Sequence, residues 1–247
     1  MRGVDHVLQL YQDESRLLDR VHSFVAEGLR LEEGVVVIGS TPRWDRVLDR
    51  LQKSGVDARA RVRDGQLRLV SAHSALTSCF LGGAADRPRF IELLSGVVHL
   101  ARMRWERVRV FSELTDSLWR DGNRLGARAI ERLWQPLLGQ HGFGLLCACP
   151  IDSLEGETYD GTLQALCQAH SQVQPACDEE GFERAVSGAV SEVLDEPLAR
   201  MLHALATAHR PAAQMPPGQA VLFWLKDHMP RTAEKVMSRA RARWNEQ

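Results

Sequence analysis

Val35-Val36-Val37-Ile38 and the residues after it constrain this chain most. Four apolar residues follow one another with no polar alternation. Gly39-Ser40-Thr41-Pro42-Arg43 comes next, and then an amphipathic stretch from Trp44 to Lys53. An unbroken apolar run of that length reads as a strand covered on both faces. A strand that turns directly into a helix belongs to a parallel sheet. Phe143–Cys149, stopped by Pro150, has the same character. His6–Tyr11, Gly65–Val70 and Arg107–Phe111 are further strand candidates. Helical spacing separates them, first at Leu17, Leu18, Val21, Phe24, Val25 and Leu29, then at Phe90, Ile91, Leu94, Val97, Val98 and Ala101. This alternation predicts an α/β domain with a mainly parallel central sheet of about five strands between two helical layers. A loop is expected at Gly82–Asp86.

From Glu179 onward the strand pattern stops. Phe182–Leu194, Pro197–His209, Ala220–His228 and Thr232–Trp244 read as helices, with a proline-rich linker at Ala212–Gly218. The expected organisation is therefore an α/β domain over residues 1–177 and an all-helical extension over 178–247. Val221-Leu222-Phe223-Trp224-Leu225 is apolar on every face of a helix, so it must be buried in a core or an interface. Six basic residues follow from Lys226 on (Lys226, Arg231, Lys235, Arg239, Arg241, Arg243), and the basic tail from Arg231 is expected to stay exposed and to suit an acidic partner.

The junction after Val35–Ile38 resembles the start of a phosphate-binding loop and lacks its chemistry. Such a loop needs a second glycine and a lysine five and six residues after the first glycine. Counted from Gly39, those places hold Trp44 and Asp45. An indole fills the space for phosphate, and a carboxylate repels it. Sensing or scaffolding is expected instead of catalysis. Ligands of open parallel sheets bind beyond the carboxyl ends of strands. The candidates there are Gly39, Ser40, Thr41, Arg43 and Trp44, then Glu113 after the strand Val108–Phe111, and Trp119 in the next helix. His6 and Tyr11 bound the same edge. His6 is also a metal candidate together with His170, but neither has a carboxylate or cysteine at ligand spacing, so no metal and no cofactor are expected. No catalytic residue is assigned, because no serine elbow, paired-cysteine motif or HExxH run occurs.

Several residues together resemble the MEDS domain, the sensory domain named for methanogens, methylotrophs and a dichloromethane-responsive repressor. They are His6 with Tyr11, Phe24-Val25 before Gly28-Leu29, Gly65-Gln66-Leu67, Ser112-Glu113-Leu114, Glu131 with Trp134, Leu146-Cys147-Ala148 before Pro150, and His170. The resemblance covers roughly residues 3–175. It implies a RecA- or KaiC-like core without a working phosphate loop. It also implies a regulatory role and a small organic ligand. The partners it implies are a histidine kinase, a response regulator or an anti-sigma component.

Composition narrows the rest. The formal net charge is −1, which gives no bulk attraction to nucleic acid or anionic membrane. No apolar run reaches the ~18 residues of a membrane span. The residues Met1–Asp5 lack the apolar core of a secretion signal. Five irregularly spaced cysteines read as small buried hydrophobes in a reducing compartment. The expected protein is a cytoplasmic, non-enzymatic regulator in which events at the sheet edge control the helical region. The alternatives are a pure interaction adaptor with a vestigial pocket, or a divergent nucleotide binder using Arg43 in place of the lysine. A homodimer is compatible with either of the regulatory readings.

Overall fold

A computed structural model of the chain describes residues 5–81 and 84–245. Contacts divide the chain into two compact units. One holds residues up to Val7 together with Glu14–Cys149, and the other holds Leu8–Asp13 with Pro150 onward.

Up to Pro150 the chain follows the alternation, and the division between the units falls inside the first strand. Strand β1 (His6–Tyr11) leads to helix α1 (Glu14–Arg30), β2 (Gly34–Gly39) to α2 (Thr41–Lys53), and a short α3 (Ala58–Arg63) to β3 (Leu67–Ser71). Helix α4 (Ala72–Cys79) precedes a small antiparallel hairpin of β4 (Phe80–Leu81) and β5 (Ala84–Ala85). Of the loop expected at Gly82–Asp86, Gly82 and Gly83 lie outside the described residues. Asp86 caps the next helix by accepting the Arg89 N–H at 3.0 Å. Then come α5 (Arg87–Arg102), β6 (Val108–Ser112), α6 (Leu114–Arg120), α7 (Arg124–His141) and β7 (Gly144–Pro150).

The second unit adds α8 (Gly161–Gln168), β8 (Gln172–Gln174), α9 (Glu179–Val193), α10 (Glu196–Ala208), α11 (Pro217–His228) and α12 (Pro230–Asn245). The main sheet has six strands in the order β3-β2-β6-β7-β1-β8, one more than expected from the sequence. The added strand, Gln172-Val173-Gln174, has a single apolar residue and gives no periodic signal.

Strands β3, β2, β6 and β7 pair in parallel, with Val36 opposite both Arg68 and Val110, and Val110 opposite Leu145. Val35–Ile38 and Leu145–Cys149 are fully buried, as strands covered on both faces must be. Helices α1 and α2 pack on each other, and α1 covers β2 and β6. Helix α5 packs on α4 and α7 and also covers β2 and β6. Trp134 anchors this second layer, edge-on to Phe90 at 5.1 Å and to Phe143 at 6.2 Å.

The amino end of β6 carries a buried cation. Arg109 donates to Glu33 at 2.5 Å, to Glu27 at 2.9 Å and to the Phe24 carbonyl at 2.8 Å. A Cβ on Gly28 would lie 2.6 Å from the Arg109 Cδ, which explains a glycine in the last turn of α1.

Helix α11 is buried within its own unit. Val221, Leu222, Phe223 and Leu225 are buried, and the helix packs on α9, α10 and α12. Phe223 meets Tyr159 edge-on at 4.9 Å. Four of the five residues of the apolar run are thus covered inside the unit, and the fifth, Trp224, is half-buried and stacks on His228. The basic tail is also partly paired: Arg241 contacts Asp152 at 3.1 Å and Glu155 at 3.5 Å, and Arg243 bonds Glu192. Among the described residues no helix is long and apolar enough to cross a membrane.

Candidate functional site

The junction after β2 forms one connected group with the start of α6. Ser40 is the N-cap of α2 with an extended backbone, and its own side chain does not cap the helix. Glu113 takes that role instead. The Ser40 N–H donates to Glu113 Oε2 at 2.9 Å, and the Ser40 hydroxyl donates to Oε1 at 3.1 Å. A helix N-terminus attracts anions through its unpaired N–H groups and its dipole. Here the anion is a carboxylate of the chain itself.

Arg43 closes the group. Its guanidinium is buried at 3% exposure. It donates to Asp116 at 2.8 Å, lies 3.3 Å from Glu113 and reaches Glu14 at 3.3 Å. Asp116 is fully buried and also accepts from Arg120 at 3.3 Å. Burial pushes the Glu113 carboxyl above its usual range, against the pull of Arg43 and the Ser40 N–H. Burial also tends to raise Glu14, but Arg43, Arg120 and Arg46 outweigh it and leave its carboxyl below the usual range.

Trp44 lies against Gly39: a Cβ there would come within 3.0 Å of both the Trp44 Nε1 and the Glu113 Oε2. The glycine is thus fixed by the close approach of an indole and a carboxylate. Asp45 and Thr41 are exposed on α2. Trp119 is buried under the Arg124 guanidinium, 3.5 Å from its ring. So Gly39, Ser40, Arg43, Trp44 and Glu113 converge directly. Glu14 and Asp116 complete the group, though the sequence reading did not single them out.

His6 sits in a different group. It is the first residue of β1, and its partners come from α7 and β7. His6 Nε2 is 3.3 Å from Glu131 Oε2 and 3.6 Å from Cys147 Sγ, and that sulfur is 3.8 Å from Glu131 Oε2. All three side chains are buried. The Thr115 hydroxyl donates to Glu131 Oε1, and Gln135 Nε2 lies 3.4 Å from His6 Nδ1. Burial, and then Glu131, push the Cys147 thiol well above its usual range. Imidazole, carboxylate and thiol within contact distance are a donor set suited to a divalent metal. Sequence spacing hid this, because His6 and Cys147 are 141 residues apart. Glu131 and Cys147 each stand among the residues that carry the family resemblance, and that is the available signal.

Tyr11 and His170 belong to the second unit, and both are buried. The Tyr11 carbonyl accepts the Ile151 N–H at 2.9 Å, and His170 Nδ1 lies 2.6 Å from the Leu166 carbonyl at the end of α8.

A family model described as "MEthanogen/methylotroph, DcmR Sensory domain" matches residues 5–171. No curated protein matches the chain.

Proposed function

The chain belongs to the MEDS family of sensory domains, and on that premise we propose that it is a non-enzymatic sensory module with a degenerate phosphate loop on a RecA-like core. One observation carries the reading: the Glu113 carboxylate occupies the N-terminus of α2, where a nucleotide phosphate would have to bind. A phosphate entering there meets a buried negative group and must break two hydrogen bonds. Arg43 cannot stand in for the missing lysine, because it is engaged by Glu14, Glu113 and Asp116.

The sensed input is a small organic ligand or a signalling partner such as a histidine kinase, response regulator or anti-sigma component. Input acts by favouring one arrangement of the strand-edge residues over another, so it must contact the two arrangements differently. Titration calorimetry with ATP and Mg²⁺ tests the non-catalytic reading. No heat of binding is expected up to millimolar nucleotide. Micromolar binding, with turnover that Glu113→Gln abolishes, overturns it.

A further inference from the structure

We propose that His6 Nε2, Glu131 Oε2 and Cys147 Sγ hold a divalent transition-metal ion of the zinc class. The first support is geometric. Tetrahedral zinc, with bonds of about 2.0–2.1 Å to nitrogen, 2.0–2.2 Å to oxygen and 2.3 Å to sulfur, separates its donor atoms by roughly 3.3–3.7 Å. The three atoms are separated by 3.3, 3.6 and 3.8 Å. They form a triangle that is one face of such a tetrahedron, and the fourth position falls to another donor.

The second support is the way each donor is held. Thr115 bonds Glu131 Oε1 and leaves Oε2 turned towards His6 and Cys147. Gln135 sits at His6 Nδ1, on the far side of the ring from Nε2. Metal sites are oriented by such outer contacts to the carboxylate and the second imidazole nitrogen.

The third is charge. A thiolate and a carboxylate carry two negative charges, which a divalent cation cancels, so the loaded site is neutral and suits its burial. As the sulfur–metal bond forms, the thiol proton leaves to solvent. The ligands come from β1, α7 and β7, so the ion would tie the first strand to a helix and strand far along the chain. This inference goes beyond the sensory reading and stands whether or not that reading holds.

Cobalt(II) titration of the full chain tests it. One equivalent should produce a thiolate-to-cobalt charge-transfer band and the strong visible bands of tetrahedral cobalt. Cys147→Ser should remove the charge-transfer band, while Cys79→Ala should keep both. Thr115→Val should keep the band but weaken cobalt affinity about 10- to 100-fold, since it alters only the positioning of Glu131. Two results overturn the proposal: no bands in the wild-type chain, or a charge-transfer band that survives Cys147→Ser. A second measurement needs no variant. The wild-type chain, refolded from denaturant with chelator and then with zinc(II), should melt higher with zinc, and equal midpoints reject the site.

Discussion

Replacing Arg43 with methionine isolates what the strand-edge group contributes to stability. Methionine keeps most of the aliphatic stem, so the cavity term is small and the charge term dominates. The guanidinium stands between Asp116 at 2.8 Å, Glu113 at 3.3 Å and Glu14 at 3.3 Å. Removing one partner of a buried pair typically costs about 3–5 kcal/mol, because the other charge stays buried. Asp116 keeps Arg120, whose side chain is 45% exposed, so part of that charge remains compensated. Glu113 keeps only its bonds from Ser40 among the contacts described above. Glu14 is 35% exposed and contributes only about 0–1 kcal/mol through its pair.

The expected loss is therefore near the lower end, about 3–4 kcal/mol. The chain divides into two compact units, so the assay is set to report on the first. Urea unfolding followed by the fluorescence of Trp44, Trp105, Trp119 and Trp134 does so if Trp224 and Trp244 are replaced by phenylalanine in the reference chain. The midpoint should fall with little change in slope. The double variant Arg43→Met with Asp116→Asn should recover part of the loss by removing an uncompensated charge. A loss below about 1 kcal/mol would place the group among solvated surface pairs and refute the argument from burial.

Glu113→Gln should change the pH dependence of stability. The folded Glu113 carboxyl lies above its unfolded value, so the native state binds the extra proton. Its contribution is full below the unfolded value of 4.5 and is lost as pH rises through the raised folded value. Denaturation midpoints of wild type and Glu113→Gln measured from pH 4 upward should diverge across that window, and parallel curves would contradict the burial-driven shift. Arg43→Met combined with Thr115→Val should be non-additive by about 0.5–3 kcal/mol in the same unfolding assay, because α6 carries partners of both groups; additivity within about 0.3–0.5 kcal/mol would show them to be independent.

The parts of the fold legible in the sequence are those that bury large continuous surfaces. Val35–Ile38 and Leu145–Cys149 announce themselves because both faces of each strand are covered, so polar residues are excluded from both. Helix α3, Ala-Arg-Ala-Arg-Val-Arg, gives no such signal; only Ala58 is buried, and the helix starts because Asp57 accepts the Ala60 N–H at 2.9 Å. Strand β8 buries Val173 and bonds the Gln214 carbonyl at 2.7 Å, inside the segment that reads as a proline-rich linker. The strand-edge residues were visible because the junction is contiguous and Glu113 directly follows a neighbouring strand at a matching register, with Ile38 opposite Ser112. Asp116 was not, since an aspartate three residues into a short helix usually reads as a solvated first-turn acid. The His6 group was invisible as a set, because no local spacing links β1, α7 and β7.

Helix α6 explains why these two groups need not be separate devices. It is seven residues long, and its N-cap and first turn supply Glu113 to Ser40, Thr115 to Glu131 and Asp116 to Arg43. Thr115 and Asp116 are fully buried, and neighbouring positions on so short a helix cannot move independently without breaking its few backbone bonds. A ligand that draws the Glu113 carboxylate away from the Ser40 N–H therefore pulls on the residue that orients Glu131. The reverse holds for anything bound at His6, Glu131 and Cys147, since coupling between two sites is reciprocal. Under the proposed sensory reading, the response would pass through a turn whose two polar neighbours, Thr115 and Asp116, are both buried and both bonded to side chains of the chain itself.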